Sequence, residues 1–204
     1  ATLDGAPDTR PLFAYLHLME PHHPYEQHME WHEALPPAGA APLEAGSLAT
    51  YQELAGALAL EEASLDAELR QLTLERNRYD REIRAADMAI ELLLAGLESR
   101  GLLENTIVAL VSDHGEGLFE HPLPAEHWAD GAPVGPRRLL QRAHVLRLHE
   151  ILNATSLFLW GAGVPAGVRV STPVENVDLF PTLLELCDLA GPEHLTGQSL
   201  VPQM

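Results

Sequence analysis

Two interleaved series of mostly apolar residues constrain this chain before anything else does. Leu65, Leu72, Tyr79, Ala86 and Leu93 recur every seven residues, and Leu69, Arg76, Ile83, Ile90 and Leu97 recur in the same way four residues further along. A seven-residue repeat kept over this length lays one apolar stripe along one face of a long helix. The helical pattern begins near Ser47, becomes regular at Leu65, and ends in "ESRGLLENT", where Arg100 and Gly101 suit a helix C-terminus. A long helical region is expected over 47–99. Its stripe, interrupted only by Arg76, must be covered by a sheet on which the helix lies or by a second copy in a dimeric coil; the sheet is the favoured reading.

A strand follows at once. "IVALV" gives five apolar residues inside a strand expected over 106–112, and the strand runs out into "SDHGEG". A second strand is expected at "PLFAYLHLM" (11–19), broken by the prolines of "EPHHPY", which cannot continue a ladder. Residues 26–46 read as a variable surface loop, rich in Pro, Gly and Ala from 33 onward. After the Asp-His tip the periodicity fades, and a helix near 137–152 and a short strand "SLFLW" (156–160) follow. "VDLFPTLLELCDLAG" is a last helix, with Asp178 as its cap, Pro181 in its first turn, Gly191 beyond its end and Cys187 in its core. Helices alternating with short apolar strands indicate an α/β fold with a largely parallel central sheet flanked by helices. Ligands of such sheets bind at the carboxyl ends of strands, where both "EPHHPY" and "SDHGEG" are expected.

Charge narrows the classes of partner. Thirty acids against 12 bases give a formal net charge of −18, and every base is arginine. So acidic a surface repels a phosphate backbone, which argues against nucleic acid and anionic membranes. No apolar run approaches the roughly 20 residues of a membrane-spanning helix. The single Cys187 cannot form an internal disulfide. The chain begins with Ala1 and has no signal-peptide layout, so a preceding segment is expected to have been removed, and the compartment is not readable.

The two tips carry the chemistry. Asp113 and His114 offer a hard oxygen and an imidazole nitrogen to a divalent cation, and Gly115 lets the backbone turn away. An isolated Asp-His-Gly is more often a loop whose aspartate caps a helix. Further histidines at His22, His23, His121 and His144 tip the balance toward a site for a metal and an anion. Arg137, Arg138, Arg142 and Arg147 surround His144 with no acid between Gly131 and His149, an island that could steer an anion or form the polar face of a helix.

"FAYLHLMEPHHPY", "YDREIRAADMAIELLLAGLESRGLLENTIVALVSDHGEGLFEH" and "GAGVPAGVRVSTPVENVDLFPTLLELCDLAGPEHLTGQSLVP" resemble three consecutive blocks of the sulfatase family, within the alkaline phosphatase superfamily. The resemblance implies an alkaline phosphatase-like sandwich, of which residues 1–204 form part of the catalytic domain. It implies that Asp113 and His114 are metal ligands and that His22 contacts the sulfate or the leaving-group oxygen as donor or general acid. Family members place a lysine or histidine at the anion before a segment like "LHEILNATSLFLW"; with no lysine in the chain, His144 is the candidate, and Arg142 a further anion contact. The setting Ala143-His144-Val145 lacks the usual flanking glycines, and Thr155-Ser156 stands where Val-Pro is usual. His17, Glu116 and His121 are expected to support the ligands from behind.

The resemblance further implies a divalent cation, calcium for a sulfatase and manganese or zinc for a phosphoesterase, and a small-molecule or glycan sulfate ester as substrate. The family nucleophile lies in a Cys/Ser-x-Pro-x-Arg element, with the first metal carboxylates, ahead of the "PHHPY" strand; the 204 residues contain neither. Three readings stay open: part of a sulfatase, a related phosphodiesterase or phosphoglycerol transferase, and a non-catalytic fragment that binds metal or anion. Without the N-terminal half of the domain, the chain alone is expected to bind without turnover.

Overall fold

The structure, a computed structural model, describes residues 11–25, 52, 62–122, 140–142, 144 and 149–204. The loop expected at 26–46, most of the helical start at 47–61, and Arg137, Arg138 and Arg147 lie outside the described residues.

Helix α1 spans Glu62–Glu98. It ends where Gly101 takes φ +64°, so that the Gly101 N–H bonds the Glu98 carbonyl and the Leu102 N–H bonds that of Leu97, at 2.9 and 3.0 Å. This paired closure satisfies carbonyls left over at a helix end and favours glycine. Leu72 is buried as expected, but the buried face continues through Glu82 and Ala85, while Ile83 is exposed. A helix of 3.6 residues per turn drifts about 20° per heptad away from a strict seven-residue seam, and the buried face follows the drift.

A 3-10 turn at Leu103–Asn105 leads into β1 (Ile107–Val111). Then come β2 (Leu118–Pro122), β3 (Leu140–Arg142), the single-turn helix α2 (Glu150–Asn153), and β4 (Leu157–Gly161). Another 3-10 turn at Asn176–Asp178 precedes α3 (Leu179–Leu186), and a further one lies at Val201–Gln203.

The strands pair in two antiparallel sheets, β1 with β4 and β2 with β3. Among the described residues this replaces the expected largely parallel sheet. A parallel neighbour needs a crossover from one end of the sheet to the other. Here the chain leaves β1 at Val111 and re-enters with Leu157 opposite Val111. Returning from the same end forces antiparallel pairing, and it brings the start of β4 beside the tip of β1.

Three further expectations change. Residues 11–19 form no strand: they pair with no strand among the described residues, and Leu12, Phe13, Tyr15 and Leu16 are exposed. Apolar residues alone do not make a strand without a neighbour for the backbone hydrogen bonds. Of the helix expected at 137–152, residues 140–142 pair with β2 instead and Glu150–Asn153 form α2, while 137–139, 143 and 145–148 lie outside the described residues. Cys187 is exposed, since it occupies the C-cap of α3, where the chain leaves the helix.

The C-terminal segment is tied to α3. Thr182 is fully buried; its hydroxyl donates to the Asp178 carbonyl and accepts the Leu200 N–H at 2.9 Å. Asp178 does stand at the N-cap of α3, but its backbone is already helical and its carboxylate makes no cap bond. It accepts instead from the backbone N–H of Gln198 at 2.8 Å and of Glu175 at 2.9 Å.

Candidate active site

The tip of β1 is held from two directions. Ser112 donates its N–H to the Ser156 carbonyl at 3.2 Å, and its hydroxyl oxygen accepts the Ser156 N–H at 3.3 Å. Asn176 donates its side-chain amide to the Ser112 carbonyl at 2.9 Å and accepts from the Thr155 hydroxyl at 3.3 Å. Behind the tip, the Gly115 N–H bonds the Leu152 carbonyl of α2 at 2.8 Å. A Cβ at Gly115 would lie 2.0 Å from the Ile151 carbonyl oxygen. Glycine is required here by the close approach of two backbones, not by the turn that the sequence suggests.

So anchored, the tip presents Asp113 and His114. The Asp113 side chain is 83% exposed, and one of its oxygens accepts the His114 N–H at 2.9 Å. His114 Nδ1 lies 2.8 Å from the Gly115 carbonyl oxygen. A carbonyl only accepts, so Nδ1 carries the proton and the neutral ring keeps its lone pair on Nε2. That nitrogen stands 3.8 Å from Asp113 Oδ1.

The second tip reaches the same place from the other end of the sequence. The His22 N–H closes a turn on the Met19 carbonyl at 2.8 Å, and His22 Nδ1 lies 2.6 Å from the His23 carbonyl oxygen. By the same reasoning Nδ1 is a donor, so Nε2 accepts when the ring is neutral and donates only in the imidazolium. The His22 ring is 5.7 Å from that of His144, and the His144 ring is 3.9 Å from that of His114. Three imidazoles and one carboxylate therefore gather from segments far apart in the chain.

Glu116 stands behind them with its side chain only 7% exposed. One oxygen lies 3.5 Å from His144 Nδ1, at ion-pair rather than hydrogen-bond distance. The other accepts the Tyr25 hydroxyl at 3.1 Å. Tyr25 is itself buried, edge-on to Tyr79 of α1 at 5.3 Å and to His23 at 5.4 Å. Burial first, and then the charge of Glu116, pushes the Tyr25 phenol far up, so it stays a donor.

Of the residues singled out from the sequence, the structure brings His22, Asp113, His114, Glu116 and His144 together. His17 does not join them; it is exposed and lies against Tyr15, the consequence of residues 11–19 having no sheet around them. His121 stacks on His149 at 4.0 Å, bracing β2 against the start of α2. Arg142 lies in β3, its backbone paired with Leu118. Tyr25 and Asn176 escaped the sequence reading; the aromatic residue closing "PHHPY" was the one available hint.

The donor set fits a divalent cation in part. Asp113 supplies oxygen and His114 a lone pair fixed by its Gly115 bond, which is how a metal-binding imidazole is oriented. Among the described residues, no group of three or more His, Cys, Asp and Glu is placed to hold a metal ion. Asp113 and His114 alone thus fall short of a complete donor set.

Known proteins resemble part of this chain. Arylsulfatase K of Bos taurus and that of Homo sapiens are each 32% identical over 112 residues, 55% of this chain and 17% of theirs. Arylsulfatase K of Xenopus laevis is 29% identical over 117 residues, 57% of this chain and 18% of that protein. The chain thus spans less than a fifth of the length of these relatives. The solved structure of BT4656 in complex with its substrate D-glucosamine-2-N,6-O-disulfate covers 78% of this chain and 27% of its own, at 24% identity and a TM-score of 0.42. The model of the sulfatase family matches residues 2–189, a stretch that takes in both tips, Glu116 and His144, and on that match the chain belongs to the sulfatase family.

Proposed function

We propose that the chain is part of a metal-dependent hydrolase that cleaves sulfate esters of small molecules or glycans, within an alkaline phosphatase-like sandwich. The observation that carries this reading is the convergence of His22, His144 and His114 beside Asp113, with 5.7 and 3.9 Å between successive rings. Family membership and the names of the relatives support it.

Asp113 and His114 would hold a divalent cation, calcium in this reading, which when bound polarises an ester oxygen and offsets charge growing on it. The chain's own residues do the rest. Nε2 of His114 is kept as a lone pair by the Gly115 carbonyl. His22, with Nδ1 donated to the His23 carbonyl, delivers a proton from Nε2 only as imidazolium, the form that a general acid toward a leaving-group oxygen requires. His144 faces Glu116 through Nδ1, which leaves Nε2 for an oxygen of the anion. Arg142 is a further anion contact in this reading. The nucleophile and the first metal carboxylates have no counterpart in the 204 residues, so we assign them to another part of the protein, and this chain alone binds without turnover.

The test is calorimetric titration of the intact chain with calcium, manganese and zinc, then with inorganic sulfate or phosphate, beside assays on an aryl sulfate and a phosphodiester. We expect cation binding that Asp113→Ala weakens by at least about 100-fold, because second-shell changes alone cost about 10–100-fold. Sulfate should bind, and neither ester should turn over. Turnover by the chain alone, or cation binding indifferent to Asp113→Ala, would overturn the reading. Preference for phosphate with manganese or zinc would move the assignment to phosphoester chemistry, the reading that imidazole in place of ammonium at the anion favours.

A further inference from the structure

The loop bearing His22 and the tip bearing Asp113 and His114 are joined by a part-buried hydrogen bond. The Tyr25 hydroxyl donates to Glu116 at 3.1 Å across 91 positions of sequence. Each partner lies within three residues of a group placed in the candidate site: Tyr25 follows His22, and Glu116 follows His114. Both side chains are nearly enclosed, each at 7% exposure. A hydrogen bond to a carboxylate in such surroundings is stronger than one in water, and losing it leaves the carboxylate desolvated. The remaining Glu116 oxygen faces His144 at 3.5 Å, and Tyr79 of α1 backs the Tyr25 ring at 5.3 Å. One bond thus sits between the long helix and all three imidazoles.

We propose that Tyr25 is a positioning residue whose bond to Glu116 locks the His22 loop against the Asp113-His114 tip and, through Glu116, sets the place of His144. The proposal rests on the site reading above. It assigns the tyrosine a role in assembly and not in the reaction: removing the hydroxyl frees the two tips to separate, and the histidines cease to meet at one point. A ring that merely filled space would be replaced by phenylalanine without consequence for the histidines.

Tyr25→Phe keeps the ring against Tyr79 and removes only the hydroxyl. Two measurements on the intact chain decide the matter. The first is ligand-free: the imidazole resonances of His22, His114 and His144 should all shift in Tyr25→Phe while the fold is kept, and three unmoved rings overturn the proposal. The second is a cycle with His22→Ala, read as the affinity for inorganic sulfate in the presence of calcium. We expect Tyr25→Phe to weaken sulfate binding by about ten-fold, the scale of an outer-shell change, and by less than about two-fold when His22 is already gone. Equal loss in both backgrounds would show that Tyr25 does not act through His22. Should the parent chain bind no sulfate, the functional reading fails, and the resonances alone still decide the latch.

Discussion

At the residue scale the site depends on where protons and backbones are placed. His114 and His22 use the same device, a ring nitrogen donated to a neighbouring carbonyl, which leaves Nε2 of each neutral ring as a lone pair and makes donation from it conditional on protonation. Gly115 has no substitute, since any Cβ meets the Ile151 carbonyl oxygen at 2.0 Å. Gly115→Ala is expected to cost about 1–3 kcal/mol in urea denaturation, as overpacking does, and to lower cation affinity with it; an unchanged midpoint would contradict the close approach. Asp178 makes a prediction in pH. Its bond from the Gln198 N–H first, and that from Glu175 second, hold the carboxyl below its ordinary value. A lowered folded value means stability that is fully present above the ordinary carboxylate range and lost as pH falls through the lowered value. Asp178→Asn should therefore denature earlier than the parent at roughly pH 7, with the gap narrowing toward roughly pH 2.

At the scale of elements, the end of β1 is a junction rather than a free tip. Asn176, from the turn before α3, reaches across to Ser112 and Thr155, while Ser156, just before the returning strand, pairs with Ser112 from the side. The Ser112 hydroxyl takes part because no proline occupies 156, so that residue has an N–H to give. Asn176→Ala removes two of these bonds without touching β1 itself. Amide hydrogen exchange over 112–116 should quicken several-fold while exchange in α3 is unaltered, because α3 keeps Thr182 as its tie to Leu200. Uniform quickening of both segments would mean that the turn holds the helix and not the tip.

For the molecule as a whole, the described surface carries more apolar area than its charge suggests. Phe13 is 80% and Tyr15 77% exposed, with Leu12, Leu16 and Met19 beside them and Phe158 exposed on β4. Contiguous exposed apolar residues of this extent drive association. Sedimentation of the intact chain should show self-association at micromolar concentration, relieved by Phe13→Ser with Tyr15→Ser; a monomer throughout would mean that these residues are covered in solution. Among the described residues, no helix is long and apolar enough to cross a membrane.

The sequence by itself determined what local pattern can determine. Periodicity marked α1, capping and proline signals marked α3, an apolar run marked β1 and another β4, and residue type singled out Asp113, His114, His22 and His144, which the structure brings together. What only the tertiary structure decided are relations between distant segments. The direction of β4 against β1 followed from the chain re-entering at the end it had left. Residues 11–19 stayed unpaired because a strand is a property of two segments, and Cys187 faced solvent because a helix end, not its composition, set its direction. Tyr25 and Glu116 are joined by a bond across 91 positions, and Gly115 is fixed by a carbonyl 36 positions further along in residue number, at Ile151. Such pairings leave no periodic trace, because a hydrogen bond or a steric contact depends on distance in space and not along the chain.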